Sequence, residues 1–503
     1  MPGPVVPGFH PDPSICRVGD TYWMICSSFE YAPGVPLFRS SDLVSWEQVG
    51  NVLDRPSQLD VSGAPASGGI TAPTLRYHDG RFWMITTNLA DGGWQLLVHT
   101  EDPLGAWSDP IRLPDARGID PDLAWDEEGI CYLSYAGFAA GGPAGLVQSK
   151  IDPLAGKVLT ERRPLWQGTG GQFPEGPHLY QVGEWWYLLI AEGGTARGHA
   201  VTIARGLSPA GPFEPCPWNP LLTARGSDSP VQNTGHADLV ERPDGSWAIV
   251  FHGVRARGSS PEWHVLGRET FAADVEWVDG WPRLGSWVTP RAESVSVEEL
   301  TGSELPVSWV APRRFPADIL HHEDGGWRLS ALDPGAEFGN EVAFAGRRQE
   351  HLYGRCQVVV ASGSDSVGGM SVRIDERHHL SLEVDDGRAR AVAQVGALRQ
   401  VLGETTMDAG DVVLEIRMLP RAGHFSSTET GPDLLVAGVV KDCDFVELGR
   451  LDGRYVSTEV AGGMTGRLTG VWCSWGSLLV SSFRYDGADD PALLPIALTI
   501  LDD

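Results

Sequence analysis

Five short motifs in the first half of the chain begin Asp12-Pro-Ser, Ala72-Pro-Thr, Asp120-Pro-Asp, Gly176-Pro-His and His236-Ala-Asp, and Glu175 stands one residue ahead of the fourth. Two carboxylates and an imidazole therefore occupy one position of a repeat, and a third carboxylate stands next to it. Carboxyl groups gathered where water is scarce can divide the work of general acid and general base, provided their surroundings hold the pKa values apart. Hydrolysis of a glycosidic bond needs that division. One protonated carboxyl protonates the leaving oxygen, and one ionised carboxylate activates water or attacks the anomeric carbon. A third acid nearby raises the pKa of the proton donor by like-charge repulsion. An acid before a strand is ordinarily turn chemistry, but the same slot holds Ala72 and Gly176, so the turn alone does not demand an acid.

The elements that must carry these residues are strands. Each motif runs on as a short strand, a Gly or Asp turn and an aromatic-rich return, as in Asp12-Pro-Ser-Ile-Cys-Arg-Val-Gly-Asp-Thr-Tyr-Trp. The copies recur at intervals of 48 to 60 residues, a hairpin period that marks a β-propeller with one sheet per repeat. Five copies predict five blades whose equivalent positions converge on a central axis. Several of the 19 tryptophans, among them Trp23, Trp83, Trp185, Trp186 and Trp247, fall on the return strands, where the wedge between blades needs bulky filling. The pattern fails between about Val288 and Pro316, which reads as a linker or an extended crossing segment. Longer alternating runs follow, Leu380, Leu382 and Val384 in one and Val412, Leu414, Ile416 and Met418 in another. Such runs predict a β-sandwich. The chain is therefore expected to be all-β, with a propeller over 1–300 and a sandwich over 301–503.

Composition narrows the partners. With 503 residues, 38 Lys plus Arg against 66 Asp plus Glu and a net charge of −28, the surface repels phosphate backbones and anionic lipid. Nucleic acid and membrane are excluded on that ground, and a neutral substrate fits. No apolar run approaches the ~20 residues that span a bilayer. The seven cysteines are scattered without a CxxC pair, which suits a reducing, cytoplasmic compartment, and the opening Met-Pro-Gly-Pro-Val-Val-Pro carries no charged head or apolar run. No dinucleotide fingerprint, P-loop or Ser/His/Asp elbow stands out, so no cofactor is required for chemistry. Homo-oligomerisation stays open.

The segments Gly8-Phe-His-Pro-Asp-Pro-Ser-Ile, Ser28-Phe-Glu-Tyr-Ala-Pro-Gly-Val-Pro, Gly118-Ile-Asp-Pro, Pro174-Glu-Gly-Pro-His-Leu-Tyr, Glu192-Gly-Gly-Thr and Leu266-Gly-Arg-Glu-Thr together strongly resemble glycoside hydrolase family 43. That family holds β-xylosidases and α-L-arabinofuranosidases built on a five-bladed propeller, often with a C-terminal concanavalin-like jelly roll. The resemblance implies an inverting hydrolase with Asp12 as general base, Glu175 as general acid and Asp120 as the residue that tunes and orients the acid. It further implies substrate contacts from Phe29, Thr195 and Arg268, a calcium or similar ion near His236, and a pocket-closing sandwich loop at Ala461-Gly-Gly-Met464. Where several family β-xylosidases carry an aromatic ring just before Ala-Pro, this chain has Thr71-Ala72-Pro73. The missing ring leans toward a branched substrate. The expectation is an exo-acting enzyme releasing L-arabinofuranose, with D-xylose as a second product, from arabinoxylan or arabinan oligosaccharides. The alternatives are a strict β-xylosidase and a carbohydrate-binding propeller without turnover.

Overall fold

The computed structural model describes residues 3–139, 142–258, 260–290, 295–300, 302–332, 342–361, 366–407, 410–421 and 431–494. The chain forms two compact units, Met1–Val254 with Arg268–Arg291, and Arg255–Gly267 with Ala292–Asp503. Strands dominate both. The one α-helix among the described residues, Thr458–Ala461, has four residues, and no described helix is long and apolar enough to cross a membrane.

The first unit is a succession of antiparallel meanders. The first contains Ser14–Val18, Thr21–Ile25, Gly34–Ser40 and Glu47–Leu53. The second and third share the strand Ile111–Trp125, whose first half pairs with Trp94–Thr100 and whose second half pairs with Cys131–Ala139. The fourth opens with Glu175–Val182 and the fifth with Gln232–Glu241. The opening strands, Ser14–Val18, Ile70–His78, the second half of Ile111–Trp125, Glu175–Val182 and Gln232–Glu241, each neighbour the next, and the fifth returns to the first. That closed ring of five fits a five-bladed propeller.

Apolar filling lies between the meanders. Ile15, Tyr22 and Met24 pack with Val240 and Val250, Trp83 and Ile85 with Leu123 and Leu133, and Ala124 and Leu146 with Leu179 and Trp186. Each fully buried large side chain of this kind stabilises the fold by ~1.5–3 kcal/mol. Closure depends on the chain's beginning. Val5 N–H donates to Thr270 O at 2.8 Å, His10 N–H to Arg268 O at 3.1 Å, and Thr270 N–H to Val6 O at 3.2 Å, while Gly8 N–H donates to Glu269 Oε1 at 2.9 Å. The Val5–His10 run and the Arg268–Thr270 run are thus zipped together.

The repeat has a backbone signature that its composition only half discloses. Asp12, Ala72, Asp120, Gly176 and His236 all adopt left-handed conformations, with φ of 55°, 36°, 57°, 56° and 46°. The ladders slip register beside four of them, between Thr71 and Thr74, opposite Ile119, between Glu175 and His178 and between Gly235 and Asp238. Bulges of this kind re-aim a side chain at the edge of a site. Gly, Asp and His suit that conformation and Ala does not, so the slot does constrain residue type, although acid is not obligatory.

Two residues deeper along each motif lies a second ring, Ser14, Thr74, Asp122, His178 and Asp238, all buried. Arg76 fills its centre. It donates to Asp238 Oδ2 at 2.7 Å, to His178 Nδ1 at 2.8 Å and to Asp122 Oδ1 at 2.8 Å. Asp238 also accepts from Ser14 Oγ at 2.6 Å and from the Tyr180 hydroxyl. Burial alone would raise the Asp238 pKa, but Arg76 and His178 overcome it and hold the carboxyl ionised.

The second unit is a two-sheet sandwich. Its larger sheet includes Tyr353–Ala361, Asp411–Leu419 and Ser477–Ala488, and its six-stranded sheet includes Val367–Asp375, His378–Asp385, Arg388–Val395, Leu398–Thr406 and Leu468–Trp475. Val358, Leu414 and Ile416 meet Met370, Leu380 and Leu382 between them, as the alternation predicts. The supposed linker is partly misread. Ser296–Leu300 is a strand paired with Ser477–Ala488, Leu300 opposite Phe483, and Trp309 is fully buried 4.9 Å from the Phe483 ring. Two apolar anchors among polar residues suffice to bind an irregular segment to a sheet.

Removing the axial guanidinium leaves two buried carboxylates unpaired. Arg76→Met should cost about 3–5 kcal/mol, measured by denaturant unfolding, and adding Asp238→Asn should recover part of that loss.

Candidate active site

Asp12 is held from every side. Arg268 Nη1 donates to its Oδ1 at 2.8 Å, and Ser27 Oγ donates to its Oδ2 at 2.6 Å. Ser27 Oγ in turn accepts the Ala72 N–H at 2.7 Å, which ties the base of the first motif to the backbone of the second. His252 Nδ1 lies 3.0 Å from Asp12 Oδ1 and 3.2 Å from the Asp12 amide nitrogen. One ring nitrogen cannot donate to the carboxylate and accept from the amide at once, so the tautomer of His252 follows the state of Asp12. Its Nε2 stands 3.2 Å from His199 Nδ1. Burial would raise the Asp12 pKa, but Arg268 and the histidines outweigh it and hold the carboxyl well below its ordinary range.

Asp120 and Glu175 behave in the opposite sense. Burial, then the Asp12 charge, pushes Glu175 up to about 7, against the pull of Arg268. Burial followed by the charges of Glu175 and Asp12 also raises Asp120. These two cannot both ionise cheaply, so together they retain a proton near neutrality. Gly176 N–H donates to Asp120 Oδ2 at 3.1 Å and offsets part of the rise in Asp120. The loop ahead of Glu175 is fixed by a buried residue. Glu192 accepts from Thr169 N–H at 2.8 Å, Gly171 N–H at 3.1 Å, Thr169 Oγ1 at 2.8 Å and Thr202 Oγ1 at 2.7 Å.

The wall residues predicted from sequence fall around this cluster with one exception. Arg268 also donates to Thr195 Oγ1 at 3.2 Å, and its guanidinium carbon lies 5.7 Å from the Phe29 ring. Phe29 is 3% exposed, so it braces the arginine more than it offers a face. Thr71 follows Ile70, which bridges Phe29 through paired backbone hydrogen bonds, and the Thr71 hydroxyl is buried without a hydrogen-bond partner. Met464 belongs to the second unit, where it is 40% exposed.

His236 Nδ1 lies 3.8 Å from Asp12 Oδ1, its ring stacks 5.7 Å from that of His252, and a Cβ on Gly176 would come within 3.1 Å of its Cε1. Burial drives its pKa down to about 3 against the attraction of Asp12, so the imidazole is neutral. A hard cation takes six to eight oxygens. Among the described residues no three His, Cys, Asp or Glu side chains converge in metal-holding geometry. A lone imidazole does not fit a calcium.

Sequence reasoning passed over Ser27, His199, Glu192 and His252. Glu192 and His252 lay inside conspicuous segments, Glu192-Gly-Gly-Thr and Phe251-His-Gly. Ser27 carried no signal of its own.

Buried carboxyls poised in opposite ionisation states at the mouth of a closed ring of sheets define a glycoside hydrolase class of site. The comparisons agree. Residues 1–282 match the model of Glycosyl hydrolases family 43, and residues 298–477 match the Beta xylosidase C-terminal Concanavalin A-like domain. The chain belongs to glycosyl hydrolase family 43. It is 34% identical to a non-reducing end alpha-L-arabinofuranosidase of Bacteroides ovatus, BoGH43B, over 94% of this chain and 90% of that one. It is equally 34% identical to a xylosidase/arabinosidase of Butyrivibrio fibrisolvens, over 94% and 95%. Among solved structures, a xylan beta-1,4-xylosidase of Bacillus halodurans superposes with a TM-score of 0.84 at 28% identity, covering 96% of this chain and 99% of that one.

Glu175 sets a sign for pH dependence. Its pKa is raised from 4.5 to about 7, so the stability that it contributes is full below about 4.5 and lost as pH rises through about 7. Deprotonation over the same interval removes a proton donor, and kcat/KM should fall above pH 7. Glu175→Gln should abolish that limb in a pH–rate profile taken on an activated glycoside. Separately, His252→Phe should raise the acidic limb set by Asp12 and lower kcat more than it raises KM, which steady-state kinetics across pH would read.

Proposed function

We propose that this enzyme is an exo-acting, inverting hydrolase that releases L-arabinofuranose, and secondarily D-xylose, from arabinoxylan or arabinan oligosaccharides. The observation that carries the mechanism is the opposed pKa displacement of Asp12 and Glu175 within one buried cluster. Asp12, ionised, takes a proton from water as its oxygen attacks the anomeric carbon. Glu175, protonated, delivers its proton to the glycosidic oxygen as the C–O bond breaks. The anomeric configuration inverts in this single displacement. Afterwards Asp12 loses a proton and Glu175 regains one, restoring both. Asp120 lies in the same buried cluster and feels the Glu175 charge, and Arg268 keeps Asp12 ionised until the water attacks.

The preference for arabinofuranose rests on two supports. The wall at Thr71-Ala72 carries no ring, which leaves room for a branched substrate beside the terminal sugar. Relatives across most of the chain also carry arabinofuranosidase or xylosidase/arabinosidase names. A strict β-xylosidase draws support from the Beta-xylosidase of Bacillus subtilis, 39% identical over 56% of this chain.

Side-by-side assays on chromogenic arabinofuranosides and xylopyranosides should show the larger kcat/KM for the furanoside, and xylopyranoside turnover alone would restore the alternative. NMR of the first-formed sugar should show the inverted anomer. Glu175→Ala should lower kcat about 10²–10⁴-fold on glycosides with poor leaving groups and far less on activated ones, whereas Asp12→Ala should abolish both. A binding protein without turnover would show neither pattern.

A further inference from the structure

The second unit carries a concavity of about 610 Å³ on its six-stranded sheet, inside the range of ~300–1,000 Å³ common to small-ligand sites. Alternation sends Met370, Val372, Leu380 and Leu382 into the core and their neighbours to the other face. Across that face runs one straight row. Arg373 is registered opposite His379, His379 opposite Gln394, and Gln394 opposite Arg399, so four adjacent strands each contribute one polar side chain. Ser371 and Ser381 form a second opposed pair beside it.

A sheet face that is merely wet does not bury its charges. Arg373 is 4% exposed. It donates to Glu376 Oε1 at 2.9 Å and lies with its guanidinium carbon 4.6 Å from the Phe344 ring, yet its Nε is buried with no hydrogen-bond partner. Native proteins seldom leave such a donor unmet. His379 stands with Nδ1 2.8 Å from Ser381 Oγ, and burial, reinforced by Arg373 and Arg399, keeps its ring neutral.

We infer that this concavity is a second saccharide site, borne by the sandwich itself and separate from the catalytic cluster. The ligand class follows from the lining. Arg373 pairs with Glu376, and Arg399 with Glu383 at 2.9 Å, and with Arg377 the lining sets three arginines against two glutamates, an excess too small to select a polyanion. Val342, Val392, Ala397 and Trp472 add apolar surface beside these groups, broken up by charge in a way that suits a sugar's mixed faces better than a lipid chain. What remains is an interleaved set of donors and acceptors on planar Arg, His and Gln groups, which match vicinal hydroxyls. Four strands spaced ~4.8 Å apart extend the row over ~14 Å, a length that suits a short oligosaccharide rather than one ring. The ligand class comes from these side chains and not from the reaction, so the two readings can fail separately.

The experiment is affinity electrophoresis of the full-length Glu175→Gln protein through gels containing arabinoxylan, arabinan or dextran. Retardation by arabinoxylan or arabinan is expected, and the double variant Gln394→Ala/Arg399→Ala should weaken it about tenfold or more. Arg399 is about half exposed and Gln394 partly so, so the fold should survive, which a thermal melt verifies. In the catalytically intact background the same pair should leave hydrolysis of chromogenic monosaccharide glycosides unchanged. Absence of retardation, or equal retardation with and without the two side chains, overturns the second site whatever the hydrolysis assays show.

Discussion

The constraint on which the first unit depends is the shortage of positive charge at the centre of a closed ring. Asp12, Asp120 and Glu175 face one guanidinium, Arg268, and beneath them Asp122 and Asp238 face another, Arg76. The lower layer is closely bonded, because Arg76 reaches both carboxylates and Ser14 and Tyr180 satisfy further lone pairs. The upper layer is not. Arg268 is committed to Asp12, and the deficit is met by a proton held between Asp120 and Glu175. On the proposed mechanism, chemistry arises from the layer whose Asp120 and Glu175 lack a cation of their own, while the more closely bonded layer below supplies rigidity.

That arrangement explains why so much of the site was legible in the sequence and why some was not. The repeat exposed the positions of Asp12, Asp120, Glu175 and His236, because equivalent residues in equivalent sheets must converge. The second ring was legible in principle. Ser14, Thr74, Asp122, His178 and Asp238 are polar at a strand position where a propeller interior would ordinarily hold apolar residues. Arg76 offered no such pattern, since a single arginine on a strand is more often a surface residue than an axial one. Ser27 and His252 escaped for a different reason: their partner Asp12 is 15 residues from Ser27 and 240 from the His252 ring that meets its amide, and only the folded backbone brings them together.

The sandwich shows the complementary limit. Alternation in Leu380–Val384 and Val412–Met418 identified strands and their buried face. It gave no hint that Ser296–Leu300 completes a sheet edge, because a five-residue strand with one buried leucine has too few apolar positions to show a period. Polar residues on the opposite face read as ordinary solvent exposure until the register aligned Arg373, His379, Gln394 and Arg399 in one row.

The axial arginine has a further consequence for how the chain is made. Arg76 emerges early in synthesis, its first carboxylate partner Asp122 somewhat later, and its second, Asp238, only with the fifth meander. The strip Arg268–Thr270 that clasps the opening residues comes later still. A nascent propeller halted midway would hold Arg76 with only one of its two carboxylate partners and an open seam beside Asp12. Completion of the ring and assembly of the surroundings of Asp12, the proposed base, are thus one event.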